Sequence, residues 1–297
     1  MDRLNAMKIF VQVVESGSFS AAAGVLDMST QNVAKTISTL EKEIRTRLIQ
    51  RNTHSQSITE VGKLFYERAK QICLDVEDTE SLLSNFQETP KGTLKIHAGN
   101  TFGIYALSPE LPQWLKANPE VNLDITVTNR KIDLIKEGFD ASITDEPLAD
   151  SSLISRKICD FAITMAASPE YISTRGMPMT VKDLEQHTII RRPDQVEWQF
   201  SDRTSNLIVH RPQSKYLVSN CQIACEMALN GLGITKQPYY RLRPFLESGR
   251  LLPVLIDFKV PSKQLNIVYP ARKLMTLKLK RFIDFIFENF ADGKLDR

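Results

Sequence analysis

Ser18-Phe19-Ser20-Ala21-Ala22-Ala23-Gly24-Val25-Leu26-Asp27, a joint at Met28, and then Ser29-Thr30-Gln31-Asn32-Val33-Ala34-Lys35-Thr36-Ile37-Ser38-Thr39-Leu40-Glu41-Lys42-Glu43-Ile44 form the stretch on which the reading of this chain turns. Two short helices fit it, each introduced by a serine able to accept a hydrogen bond from an orphaned backbone N–H of the first turn. Met28 before the second cap and Val33 within the helix are placed as a hydrophobic staple. Val33, Ile37, Leu40 and Ile44 recur at spacings of four, three and four, which gives the second helix one apolar face. Its other face keeps Thr30, Gln31, Lys35 and Ser38. Hydrogen-bonding and cationic groups on a capped helix are what base readout in a major groove requires.

Upstream, Leu4, Met7, Phe10, Val11 and Val14 follow helical periodicity to Ser16-Gly17, where glycine supplies a C-terminal cap. Downstream, the polar segment Asn52-Thr53-His54-Ser55-Gln56-Ser57 before Ile58 reads as a short hairpin or loop, a wing of the kind that touches phosphate or the minor groove. Net charge over the 297 residues is only +3, so nucleic-acid binding must be argued locally. Between Thr30 and His54, Lys35, Lys42, Arg45, Arg47 and Arg51 stand against Glu41 and Glu43. Such an excess also occurs on a solvated helix face, but joined to the capped helix pair it favours DNA.

The composition, 42% hydrophobic and 25% charged, is that of a globular protein of about two domains. No apolar run approaches a membrane span, and the first residues read as an amphipathic helix with Asp2 and Arg3 rather than a signal peptide, so a cytoplasmic location is expected. Cys73, Cys159, Cys221 and Cys225 are too sparse for a disulfide scaffold and read as buried small apolar side chains. His54, His97, His187 and His210 form no paired motif, and no metal is expected.

Thr59 caps a further helix, with Glu60 in its first turn, that runs to about Gln87. Phe65, Ala69, Ile72, Val76, Thr79, Leu83 and Phe86 alternate by four and three along it, a heptad seam suited to a homodimer. At 1.5 Å per residue it would be about 42 Å long. Pro90 and Gly92 then mark a boundary. Beyond it strands and helices alternate: a strand over 93–98, a helix over 106–117, a strand over 121–128, a helix over 132–137 and a strand over 139–144 imply βαβ units on a parallel sheet. A second α/β unit begins with a long apolar strand over 158–167. It continues with helices over 169–174 and 181–187, strands near 188–191, 198–200 and 207–210, and a helix over 222–229. A strand over 265–269 and a helix over 277–290 can return to the first lobe, leaving two lobes joined by two crossovers.

These residues resemble the LysR-type transcriptional regulators over nearly the whole chain. The likeness lies in Phe10, Val14, Gly17-Ser18-Phe19, Ala21-Ala22-Ala23, Leu26, Ser29, Val33, Ile37, Leu40-Glu41, Arg47-Leu48, Arg51 and Thr59-Glu60-Val61-Gly62. In the C-terminal part it lies in Leu107-Ser108-Pro109, Pro119-Glu120-Val121, Phe139-Asp140, Ala167-Ser168-Pro169 and Gly231-Leu232-Gly233-Ile234. The resemblance implies an N-terminal all-α winged helix-turn-helix over 1–58, a long dimerisation helix over 59–88 and a hinge over 89–92. It also implies a C-terminal α/β two-lobed domain over 93–297, similar to periplasmic binding proteins, with lobe I about 93–160 and 265–297 and lobe II about 161–264. Three departures stand out. Arg45 and Ile49 replace the family's glycine and phenylalanine around the turn after the recognition helix, Ala34 replaces a common serine, and Thr235-Lys236-Gln237 follows the glycine segment where relatives are mostly apolar.

No catalytic constellation, phosphate loop or nucleophile elbow is present in the sequence, so no enzyme activity and no cofactor are expected. Expected partners are double-stranded operator DNA, a small and anionic effector, a second copy as homodimer or tetramer, and RNA polymerase if the protein activates; no membrane is expected. The candidate DNA-binding residues are Ser29, Thr30, Gln31, Asn32, Lys35, Thr36, Lys42, Arg47, Arg51, Thr53 and His54. In open α/β domains ligands sit beyond the carboxyl ends of strands, near helix N-termini. The candidate effector residues are accordingly Asn100, Thr101, Phe102, Asn129, Thr144, Ser219, Asn220 and Lys236, the serine or threonine position near Thr101 also being implied by the resemblance. A two-lobed binding protein or an enzyme on a similar fold, without DNA regulation, remains the alternative.

Overall fold

The computed structural model describes residues 2–52, 55–84, 89–146, 152–271, 275–291 and 293–296, with side chains at 51–52, 55–56, 77–78 and 80–84 excepted. Its N-terminal part folds as the capping pattern dictates. Asp2 accepts the backbone N–H groups of Leu4 and Asn5 and opens α1, Arg3–Ser16, which Gly17 closes at φ +71°. Ser18 accepts from Ala21 at the head of α2, Phe19–Val25, and Ser29 accepts from Asn32 at the head of α3, Thr30–Ile44. The apolar faces of the three helices meet in one core of Ile9, Phe10, Phe19, Ala22, Val33, Ile37 and Leu40, which Leu48 and Ile49 close. The wing is a hairpin: β1, Ile49–Asn52, pairs antiparallel with β2, Ser55–Ile58, from Ile49 opposite Ile58 to Asn52 opposite Ser55.

The next helix, α4, spans Glu60–Ser84, and Thr59 Oγ1 accepts the Gly62 N–H at 2.9 Å. Gly62 lies where a Cβ would come 2.2 Å from the Leu48 carbonyl, so only glycine lets the helix start this close to the wing. The expected heptad seam divides here. Phe65 packs edge-on against Phe10 at 5.4 Å and Ala69 is buried, so these positions serve the chain's own core. Among the described side chains of α4, the large apolar ones left exposed are Val61 (51%), Leu64 (66%) and Ile72 (43%). The helix face that meets α1 was chosen by the need to cover Phe10, which periodicity along α4 alone does not register. Leu83 and Phe86 fall outside the described side chains.

The C-terminal part starts with β3, Gly92–Ala98, and α5, which runs through Asn100–Phe102, a π-helical turn at Gly103–Leu107, and Ser108–Ala117. β4, Val121–Val127, α6, Leu134–Glu137, β5, Ala141–Thr144, and β6, Leu153–Phe161, follow. The second lobe holds β7, Ile163–Ala167, α7, Pro169–Arg175, a 3-10 turn at Val181–Gln186, and β8, Ile189–Arg191. It continues with β9, Trp198–Ser201, β10, Leu207–His210, β11, Tyr216–Leu217, α8, Cys221–Leu229, β12, Ile234–Pro238, α9, Tyr239–Glu247, and β13, Leu252–Pro253. The chain returns through β14, Lys263–Pro270, and α10, Leu277–Phe290.

Two five-stranded sheets result, in the orders β4-β3-β5-β14-β6 and β11-β8-β12-β7-β13, with β9 and β10 as a separate antiparallel pair. The sheets are mixed, not parallel as the alternation of elements implies. β3 runs parallel to β4 and β5, but β14 is antiparallel to β5 and β6; β12 is parallel to β8 and antiparallel to β7. A strand returning from the other lobe has no crossover helix to reverse it, so it enters antiparallel. The long apolar strand expected over 158–167 is two strands in two sheets, broken at Ala162. There the Ala162 N–H donates to Asp296 at 2.7 Å and its carbonyl accepts from Tyr239 at 2.8 Å. Both lobes are thus joined by two crossovers, β6 into β7 and the chain ahead of β14. The elements β12 and α9 escape sequence reading because Lys236, Gln237 and two arginines break the apolar pattern.

Candidate nucleic-acid interface and interlobe cleft

On α3, Thr30, Gln31, Asn32 and Lys35 are exposed on one side of the helix whose other side is core. Ser29 and Thr36 are partly committed to backbone, Ser29 as the cap and Thr36 Oγ1 donating to the Asn32 carbonyl at 2.9 Å. Lys42, Arg45 and Arg47 are exposed near the end of α3. Both acids of this region are turned to other work: Glu41 Oε1 accepts the N–H groups of Leu48 and Ile49 at 2.8 and 3.0 Å, and Glu43 lies 3.5 Å from Arg3. Among the described residues no carboxylate lies within 4.0 Å of Lys35, Lys42, Arg45 or Arg47. The local excess of positive charge therefore faces outward uncompensated, the condition for phosphate contact. Arg51 lies on β1, its side chain undescribed, and Thr53 and His54 lie outside the described residues.

Arg45 occupies the left-handed conformation, φ +54° and ψ +35°, and its N–H closes α3 on the Glu41 and Lys42 carbonyls. A side chain here is strained by about 1–2 kcal/mol relative to ordinary backbone. Ile49 is buried in the core, and Ala34 packs against that core from the side of α3.

Between the lobes lies a cleft, open to solvent, at the carboxyl ends of the strands. Of the expected effector residues, Thr101, Phe102, Asn129, Thr144 and Lys236 line it. Phe102 is mostly core, its ring edge-on to Phe290 at 5.0 Å. Asn100, Ser219 and Asn220 do not line it. The Asn100 N–H donates to Asn129 Oδ1 at 2.9 Å, and Asn220 caps α8 by accepting from Gln222 at 2.7 Å.

The sequence reading missed Asp145, Arg191, Arg192, Cys221, Gln237 and Lys263 in the same wall. Arg191 ends β8 and Arg192 follows it, and the strand-end rule applied there would have found them. Across the lobes, Thr101 Oγ1 donates to Cys221 Sγ at 3.2 Å, so Cys221 is a cleft residue while Cys73, Cys159 and Cys225 are buried.

Charge in the cleft is uneven. Lys263 pairs with Asp145 at 2.7 Å, and Arg192 with Asp194. Lys236 has no carboxylate within 4.0 Å among the described residues; its ammonium sits 4.6 Å from the centre of the Trp198 ring. Burial first, and the nearby Lys263 second, push its pKa down to about 8. An ammonium so placed gains most from an anion brought by a ligand.

Residues 4–63 match the family model for the bacterial regulatory helix-turn-helix protein, lysR family, and residues 87–291 match the LysR substrate binding domain. The chain belongs to the LysR-type transcriptional regulator family. An HTH-type transcriptional regulator of Haemophilus influenzae is 35% identical over 283 residues, 94% of this chain and 98% of its own. The full-length structure of AphB, a Vibrio cholerae virulence activator, superposes at a TM-score of 0.68 with 25% identity, covering 97% of this chain and 99% of that one. CrgA of Neisseria meningitidis does so at 0.64 with 27% identity and the same coverage. This LysR-type regulator thus joins a helix-turn-helix DNA-binding domain to a substrate-binding domain, and its departures from the family pattern acquire places. Arg45 stands at a left-handed cap, Ile49 fills the core, and Lys236 enters the cleft.

Proposed function

We propose that this LysR-type regulator is controlled by a small anionic metabolite held in the interlobe cleft, and Lys236, a half-buried cation without an anionic partner there, is the observation that carries the reading. Thr101, Asn129 and Thr144 would supply neutral hydrogen bonds around the anion. At the other end, Ser29, Thr30, Gln31, Asn32, Lys35 and Thr36 contact base edges or the adjacent backbone, and Lys42 and Arg47 contact phosphate, with Arg51, Thr53 and His54 as further candidates for DNA contact. The working division is a DNA-binding domain over 1–58, a linker helix over 59–88, a hinge over 89–92 and a two-lobed effector domain over 93–297.

The exposed Val61, Leu64 and Ile72 support a homodimer through α4, which would set two α3 helices in successive major grooves; pairing of dimers gives the tetramer. RNA polymerase would be a partner in activation, and the site of action is the cytoplasm. No described helix is long and apolar enough to cross a membrane. A gel-shift assay at fixed salt tests the DNA assignment: Gln31→Ala and Lys35→Ala should weaken operator binding, and unchanged binding removes both residues from the interface. Thermal-shift titration with small carboxylates tests the effector reading, which fails if the native protein and Lys236→Met respond alike.

A further inference from the structure

Lys236 describes one end of a ligand, and Gln237 describes another. Gln237 is only 4% exposed and lines the cleft. Its Nε2 donates to the Cys221 carbonyl and to Thr235 Oγ1, both at 3.0 Å. A carbonyl oxygen only accepts, so turning the amide over would set Oε1 against it; the nitrogen end is therefore fixed. Oε1 is then a buried acceptor with no donor among the described residues. Buried acceptors are costly to leave unpaired, which makes this atom a strong point of recognition for whatever fills the cleft.

We infer that the effector carries a hydrogen-bond donor, a hydroxyl or amide N–H, in addition to its anionic group: the donor meets Gln237 Oε1 and the anion meets Lys236. This deepens, and rests on, the anionic reading above. Side chains alternate along a strand, so Lys236 and Gln237 leave β12 on opposite faces. Lys236 lies toward Trp198 and Gln237 toward Cys221 at the start of α8. Donor and anion therefore belong to different ends of the ligand, joined by a body that meets the apolar wall of Phe102, Phe161, Ile190 and Leu265. A carboxylic acid with a distal hydroxyl meets all three demands. An unsubstituted acid leaves Oε1 unpaired, and a dicarboxylate sets a second acceptor against it.

The test is calorimetry of the full chain with two matched sets of probes: hexanoate, 6-hydroxyhexanoate and adipate, and cyclohexanecarboxylate, its 4-hydroxy derivative and cyclohexane-1,4-dicarboxylate. In at least one set the hydroxy acid should bind about tenfold or more tightly than its parent, with the dicarboxylate weakest; a site that hydrogen-bonds a hydroxyl discriminates strongly against the analogue lacking it. Gln237→Leu should remove that advantage, so that the hydroxy acid and its parent bind that variant alike. The inference is overturned if the parent acid binds as tightly as the hydroxy acid in both sets, or if the advantage survives in Gln237→Leu. The comparison within the native protein stands even where the variant does not fold. Parent acids that bind and are weakened by Lys236→Met would sink the donor while sparing the anion reading. Acids indifferent to Lys236→Met, or no binding by any of the six probes, would sink both.

Discussion

Glu41 Oε1 accepts the backbone N–H of Leu48 at 2.8 Å and ties the last turn of α3 to the strand that begins the wing. The same oxygen takes the Ile49 N–H at 3.0 Å, so one carboxylate holds two amides that the turn after α3 leaves unpaired. Hydrogen bonds to a charged group are worth roughly 1.5–3 kcal/mol each where partly buried. Glu41→Ala should lower the stability of the N-terminal domain by about 2 kcal/mol in urea denaturation, with Glu41→Gln recovering part of it. An unchanged midpoint and slope for Glu41→Ala would mean the contact contributes nothing.

Arg45 separates stability from DNA affinity. Its left-handed backbone favours glycine, so Arg45→Gly should raise stability by about 0.5–1 kcal/mol. The same change removes an exposed cation beside α3. If that cation meets phosphate, affinity should fall evenly across DNA sequences and the salt dependence of binding should drop by about one unit in slope. Salt titrations of the native protein and the variant with equal slopes would exclude Arg45 from the interface.

The exposed side of α4 carries the dimer expectation. Leu64 is 66% exposed between Val61 and Ile72, with its neighbours Phe65 and Ala69 turned to the chain's own core. Leu64→Glu should shift sedimentation equilibrium toward monomer and weaken binding to paired half-sites far more than to a single one. The fold of the N-terminal domain should be untouched, because Leu64 is not part of its core. A variant as dimeric as the native chain would move the interface elsewhere.

Lys236 makes a pH dependence with a definite sign. Its pKa is about 8 in the folded chain against 10.5 ordinarily, so the unfolded chain holds the proton more tightly. Between those values unfolding takes up a proton, and the ligand-free protein should gain stability as pH rises from about 8 to about 10.5. An anionic ligand does the reverse: it binds the ammonium, so its affinity should hold below pH 8 and fall above it, by up to tenfold per pH unit. Lys263 with Asp145, and Arg192 with Asp194, share the cleft as paired charges. Lys236→Met should flatten both profiles, and calorimetry across pH 6.5 to 9.5 on the two proteins distinguishes them.

The chain by itself determined the helix-turn-helix. Asp2, Ser18, Ser29 and Thr59 cap their helices, Gly17 ends one, and Val33, Ile37 and Leu40 fill the core, because caps and helical periodicity act within a few residues. The two-lobed plan and part of the cleft were also legible, since strand ends and the turns after them are local features; Thr101, Asn129 and Thr144 lie at such places, whereas Lys236 stood out as a departure from the family pattern. What tertiary structure decided is whatever depends on partners distant in sequence. The run over 158–167 is apolar but for Asp160 and Thr164, and only pairing with β14 and β13 on either side of Ala162 divides it between two sheets. Of the heptad along α4, Phe10 took Phe65 into the chain's own core and left Ile72 outside. Gln237 reads as an ordinary polar residue until Cys221 and Thr235 fix its amide nitrogen and leave its oxygen buried without a donor among the described residues. Burial of a polar atom is a property of the packed lobes, and no local pattern of residues encodes it.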